Sequence, residues 1–73
     1  MSENMTRHDL DHLTRRGFVP RVEAGYTHWV RESTGQAVPL EELAVCLMAS
    51  QPGGLGWVVP RLNAAARLAL GQT

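Results

Sequence analysis

V-P-L-E-E-L-A-V-C-L-M-A-S, residues 38–50, is the most strongly patterned stretch of the chain and decides its fold. Pro39 lacks the N–H that a helix start would leave unpaired, and Glu41 and Glu42 face the positive end of the dipole. The run from Leu43 to Ala49 is apolar without a break. A helix apolar nearly all round is a buried helix. The reading is therefore a central helix over residues 39–50, with Leu43, Leu47 and Met48 in the core and the rest of the chain packed around it.

Upstream, Thr6 with Asp9 three residues on resembles a capping box, and Met5 and Leu10 stand at hydrophobic-staple spacing. Arg15 and Arg16 fall in the last turn, and Gly17 suits the left-handed position beyond it. This predicts a helix over 7–16, with residues 1–4 frayed. Only Leu10 and Leu13 give it an apolar side.

Residues 18–31 are rich in strand formers, namely Val19, Val22, Tyr26, Thr27, Trp29 and Val30. Ala24-Gly25 turns the chain. Pro20 removes a ladder donor, so the first strand is expected to be an edge or to start late. Ser33 to Gln36 form a second turn, and Ala37-Val38 add a very short third strand.

Downstream of Ser50, Q-P-G-G-L-G breaks the helix. Trp57-Val58-Val59 is read as a short strand or an apolar loop over the core. Pro60 opens a last helix to residue 70, closed by Gly71, with Leu62, Ala65, Ala66, Ala69 and Leu70 at helical spacing. Arg61 and Arg67 are expected on its exposed side, and its alanines against residues 43–48. The fold class is α+β: an N-terminal helix, a small antiparallel meander and two packed C-terminal helices. All 73 residues form one domain.

Seven basic and seven acidic residues give no net charge, where a phosphate-binding protein shows a basic surplus. Every basic residue is arginine, and lysine and isoleucine are absent, as in GC-rich coding. The polar N-terminus is no signal peptide, and no apolar run reaches the ~20 residues of a membrane helix. The expected location is the cytoplasm.

Candidate chemistry is sparse. A single cysteine, Cys46, excludes an internal disulfide. Inside an apolar helix it reads as an inert buried thiol, the alternative being a reactive or dimer-linking one. His8 and His12 share a helix face and could hold a metal, but a structural site needs four ligands. Pro52-Gly-Gly-Leu-Gly56 lacks the Lys-Ser/Thr of a phosphate loop. No histidine is tied to Ser33 or Ser50 as a nucleophile's base would be. No enzyme, cofactor or metal is expected. A helix-turn-helix would use Arg61, Asn63 and Arg67, but the linker is long for that motif and zero net charge disfavours DNA.

The remaining signals point to a protein partner. Trp29 and Trp57 are two of only four aromatic residues. Both could fill the core. Alternatively one, with Trp29 favoured beside Arg31, anchors an interface, since Trp and Arg are enriched at hot spots. The N-terminal helix adds Arg7, His8, Asp11, Arg15 and Arg16 as a mixed-charge face.

The chain length, the N-terminal M-S-E-N-M-T-R-H-D-L, the hairpin G-Y-T-H-W-V-R-E-S-T-G of residues 25–35 and the two C-terminal apolar helices resemble the small transcription regulators of lytic Xanthomonas phages. The resemblance spans the whole chain and lies in size and layout. It implies binding to host RNA polymerase at the N-terminal part of β′ and the β flap, near the RNA exit channel. It further implies inhibition of initiation by preventing or displacing σ-factor binding, and antitermination on elongating polymerase assisted by NusA. Other expectations compatible with the residues are a different host-targeting phage inhibitor, such as an anti-defence protein, and a small DNA-binding repressor.

Overall fold

The computed structural model describes residues 3–71. Helix α1 spans Glu3–Arg15, strands β1 and β2 span Phe18–Glu23 and Tyr26–Arg31, and helices α2 and α3 span Leu40–Ser50 and Val58–Ala69. A single 3₁₀ turn, Leu55–Trp57, leads directly into α3. The α+β order expected from the sequence is the observed one.

Helix α1 begins earlier than predicted. Glu3 and Asn4 are helical, so Thr6 lies inside the helix rather than at its cap. Met1 and Ser2, also expected to fray, lie outside the described residues. At the other end the prediction holds: Gly17 takes φ +82°, and its N–H donates to the Thr14 carbonyl.

The strands pair antiparallel from Phe18↔Arg31 to Glu23↔Tyr26. Ala24 and Gly25 both have positive φ, 52° and 82°, which makes the two-residue connection a type I′ turn matched to strand twist. The Glu32 N–H donates to the Gly17 carbonyl, which makes Phe18↔Arg31 a non-hydrogen-bonded pair. By alternation Pro20↔Trp29 is another, so the missing N–H of Pro20 falls on the outer edge, where no ladder bond is lost. The expected third strand is one bridge, Val30↔Ala37, on the far side of β2. Alanine is a poor residue for the left-handed conformation it holds at position 24. Asn at that position is expected to stabilise the domain by ~0.5–1 kcal/mol, read as a higher urea midpoint; an unchanged midpoint would contradict the strain.

Pro39 is the cap of α2 rather than its first residue, and its carbonyl accepts from the N–H groups of Glu42 and Leu43. Leu43, Cys46 and Leu47 are buried as expected, but Met48 is only half-buried. Val45, at 61% exposure, and Leu40 face outward. The α2 helix is thus a wall of the core, not its axis. In a domain this small only one stripe of a helix can be covered. The closest backbone approaches run from α1 to α2 and to α3, not between α2 and α3. The core joins Leu13 of α1, Phe18 and Trp29 of the hairpin, Leu43 and Leu47 of α2, and Leu62, Ala65 and Ala66 of α3.

Trp57-Val58-Val59 is neither strand nor loop. Trp57 ends the 3₁₀ turn and Val58 starts α3, which places Pro60 third in the helix. The first four helical N–H groups have no intrahelical acceptor, so a proline there costs no bond. Ala69 and Leu70, expected on the packed side of this helix, are exposed.

Candidate functional site

Asp9 occupies the point where α1, the end of α2 and α3 meet, and it is fully buried. Its partner is Arg61, only 4% exposed. Arg61 Nε donates to Asp9 Oδ2 at 2.9 Å and Nη2 to Oδ1 at 2.7 Å, a bidentate fork. Nη2 also donates to the Leu47 carbonyl at 2.9 Å, and Nη1 to the Gln51 carbonyl at 3.3 Å. The guanidinium therefore sits on the negative end of α2, where it gives the Leu47 carbonyl a second donor beside the Gln51 N–H and gives the Gln51 carbonyl a donor just beyond the helix. Ser50 Oγ and Gln51 Nε2 complete the carboxylate's shell at 2.9 and 3.1 Å.

Sequence reasoning gave these two residues other roles. Asp9 was assigned to a cap and Arg61 to the exposed side of its helix. The signal missed was phase: Asp9 shares the inner face of α1 with Thr6 and Leu13, and Arg61 shares the inner face of α3 with Val58 and Ala65.

Burial alone would raise the Asp9 pKa. The hydrogen bonds from Arg61, Gln51 and Ser50 and the charge of Arg61 outweigh it, and hold the carboxyl below its ordinary 3.8. A pKa lower in the folded than in the unfolded chain contributes stability that is present above the unfolded value and lost as pH falls through the folded one. The urea midpoint is therefore expected to drop on acidification below pH ~4. Asp9→Asn should remove this group's part of the drop; an unchanged acid profile would contradict the assignment.

Cys46 is buried, and burial pushes its thiol pKa up, partly offset by the charge of Arg16. It stays a neutral thiol, in line with an inert core role.

The two tryptophans separate. Trp29, favoured as an interface anchor, is 5% exposed and belongs to the core, which corrects that expectation. Its side chain joins the core cluster with Val38, Leu43 and Leu62, and the Trp29 carbonyl accepts from the Val38 N–H on the far edge of β2. Trp57 is the exposed one, at 63%. Arg31, the other hairpin candidate, turns inward on its own chain. Its Nη2 donates to both carboxylate oxygens of Glu42, at 3.1 and 2.8 Å, and its guanidinium lies 5.5 Å from the Phe18 ring centroid. Half-exposed, this pair contributes at most ~1 kcal/mol.

The α1 candidates stay on the surface. Arg7, His8, Asp11, Arg15 and Arg16 are all exposed. The His8 and His12 rings meet edge to face, 5.1 Å between centroids. Among the described residues no group of three or more His, Cys, Asp or Glu is placed to hold a metal ion.

A groove of ≈ 380 Å³ is bordered by Met5 of α1, by Gln51 and Gly53 of the connecting loop, and by Trp57 and Arg61. Met5 and Trp57 are exposed large apolar residues, and Leu55 next to them is more exposed still. Exposed apolar surface of this kind marks interaction sites. What the arrangement can do is bind: a tryptophan and a methionine form an apolar lip.

Among the described residues no single helix is long and apolar enough to cross a membrane. No protein-family model, curated protein or solved structure matches the chain.

Proposed function

We propose that the chain is a phage-type regulator that binds bacterial RNA polymerase, inhibits initiation by preventing or displacing σ-factor binding, and promotes antitermination. Beside the whole-chain resemblance, one observation carries the reading: Trp57 and Met5 stand exposed at one groove, and α1, which carries Met5, also exposes Arg7, Arg15 and Arg16. Aromatic residues with arginine are what protein hot spots use. Such a regulator needs no chemistry of its own. A ligand that binds core polymerase better than holoenzyme moves the population toward core. The N-terminal region of β′ and the β flap are the contact surfaces that the resemblance supplies, with NusA as an accessory on elongating polymerase.

The test is affinity purification from a Xanthomonas lysate with the tagged chain. Co-purification of β and β′ without σ is expected; recovery of a nuclease complex instead would favour an anti-defence inhibitor. Arg15→Ala with Arg16→Ala is expected to weaken polymerase binding about 10-fold while the far-UV spectrum and thermal midpoint stay unchanged. Undiminished binding would remove the α1 face from the interface.

One observation favours a DNA-binding reading. The segments Leu40–Ser50 and Leu55–Ala69 are bent by 104° at their break, within the helix-turn-helix range. The face left for a groove is poor, however. Arg61 is consumed by Asp9, which leaves Asn63 and Arg67 exposed on α3. A steep loss of affinity for random duplex DNA with salt would favour this reading over the polymerase one.

A further inference from the structure

We infer that His8 and His12 form a two-histidine surface site for a borderline divalent transition cation (Zn²⁺, Ni²⁺ or Cu²⁺), whose other coordination positions are left to water or to an outside ligand. The site is independent of the polymerase reading, since neither its geometry nor its test involves a partner protein.

Imidazole is the commonest protein ligand for such ions, and each ring offers one nitrogen lone pair. Both residues lie in α1, four positions apart, so one turn of helix sets them on the same side. The ring centroids are 5.1 Å apart, with the planes inclined by 61°. That separation is the one a shared ion needs. A Zn–N bond of about 2.0–2.1 Å puts the ion about 3.2 Å from each ring centroid, and a tetrahedral angle between the two bonds then sets the centroids about 5 Å apart.

Both rings are available to a ligand. His8 is exposed and His12 half-buried, and among the described residues neither ring hydrogen-bonds or pairs ionically with another group. The turn that carries them is held in place by Asp9, which lies between them in sequence and is bound by Arg61 of α3 and Ser50 of α2. The helix therefore exists before any ion arrives, and little backbone freedom is lost on binding.

The surrounding charges select the class of ion. Asp11 is the one exposed carboxylate between the two histidines, and the buried Asp9 is neutralised by Arg61. Glu3 precedes His8 by five residues, beyond the turn that holds the pair. Arg7 adjoins His8, and Arg15 and Arg16 stand three and four residues beyond His12. Charge attraction alone therefore does not hold a cation here, which excludes the oxygen-seeking Mg²⁺ and Ca²⁺. Imidazole nitrogen holds Zn²⁺, Ni²⁺ and Cu²⁺ by bonding. The only thiol, Cys46, is buried in the core and forms no ligand group with the histidines. Two chain ligands are fewer than the three or four of a catalytic or structural zinc site, so the affinity is modest and the ion keeps open positions.

The test uses the full chain without an affinity tag. Isothermal titration with nickel chloride and with zinc chloride is expected to show one ion per chain with Kd below about 300 µM, and no heat with magnesium chloride. Saturating Ni²⁺ should raise the thermal midpoint by about 3 °C or more, because the ion prefers the folded helix to the unfolded chain. His8→Ala and His12→Ala should each weaken Ni²⁺ at least about 10-fold and abolish the midpoint rise. The metal-free midpoint of His8→Ala should equal that of the wild type, because the residue is exposed. His28→Ala, at the only other histidine, should leave the affinity unchanged. No binding below about 1 mM, an equal response to Mg²⁺, or an affinity retained in His8→Ala and His12→Ala would overturn the inference.

Discussion

Arg61→Leu is expected to unfold the domain under conditions in which the wild type is folded. The substitution leaves the Asp9 carboxylate fully buried with only Ser50 and Gln51 to hold it. Breaking a buried pair from one side costs ~3–5 kcal/mol. A domain of this size has a stability of that same order. The second arm is Asp9→Leu with Arg61→Leu. Removing both charges deletes the uncompensated ion, so much of the loss should be recovered. Recovery should stop short of complete, because the Gln51 carbonyl loses the guanidinium donor and the Leu47 carbonyl keeps only the Gln51 N–H. Urea midpoints of the two single variants and the double give the coupling. A double variant as unstable as the sum of the singles would show that the pair is no unit.

Leu47→Ala is the second large effect. Leu47 is wholly buried in the cluster that joins the helices and the hairpin. Loss of its isobutyl group leaves a cavity and costs ~2–5 kcal/mol. Circular dichroism on heating reads the result directly. The neighbouring Val45→Ala should change little, because Val45 faces solvent. If Leu47→Ala instead kept the midpoint and lost partner binding, α2 would be the interface rather than the scaffold.

These two effects also show which parts of the fold were legible in the sequence. Punctuation was: Gly17, Ala24-Gly25, Pro39 and Gly71 mark where elements begin or end because each carries a local backbone requirement. Hydrophobic identity was legible for Leu43, Cys46, Leu47, Leu62 and Ala65. Burial of polar residues was not. Asp9 and Arg61 are 52 residues apart, and nothing local to either announces the other. Each taken alone has a sufficient local explanation, as a cap and as a solvated arginine, and only the crossing of α1, α2 and α3 sets them face to face. The tryptophans were ambiguous for the same reason. Trp29 and Trp57 differ in what packs over them: Trp29 joins the core cluster, whereas Trp57 ends the 3₁₀ turn exposed. The exposure of Arg7, His8, Asp11, Arg15 and Arg16 was legible, because a solvated helix face follows from local sequence. The groove was missed because it is assembled from Met5, the glycine loop and α3.

Leu47 and the Asp9–Arg61 pair hold the scaffold, and the exposed Trp57 lies outside it. Binding of the wild-type chain and of Trp57→Ala to purified core RNA polymerase tests this most directly. The account predicts saturable binding that σ factor competes with, weakened about 30-fold in the variant, with identical urea midpoints for the two proteins. Absence of binding by the folded wild-type chain, or a loss in Trp57→Ala that tracks a lowered midpoint, would contradict it.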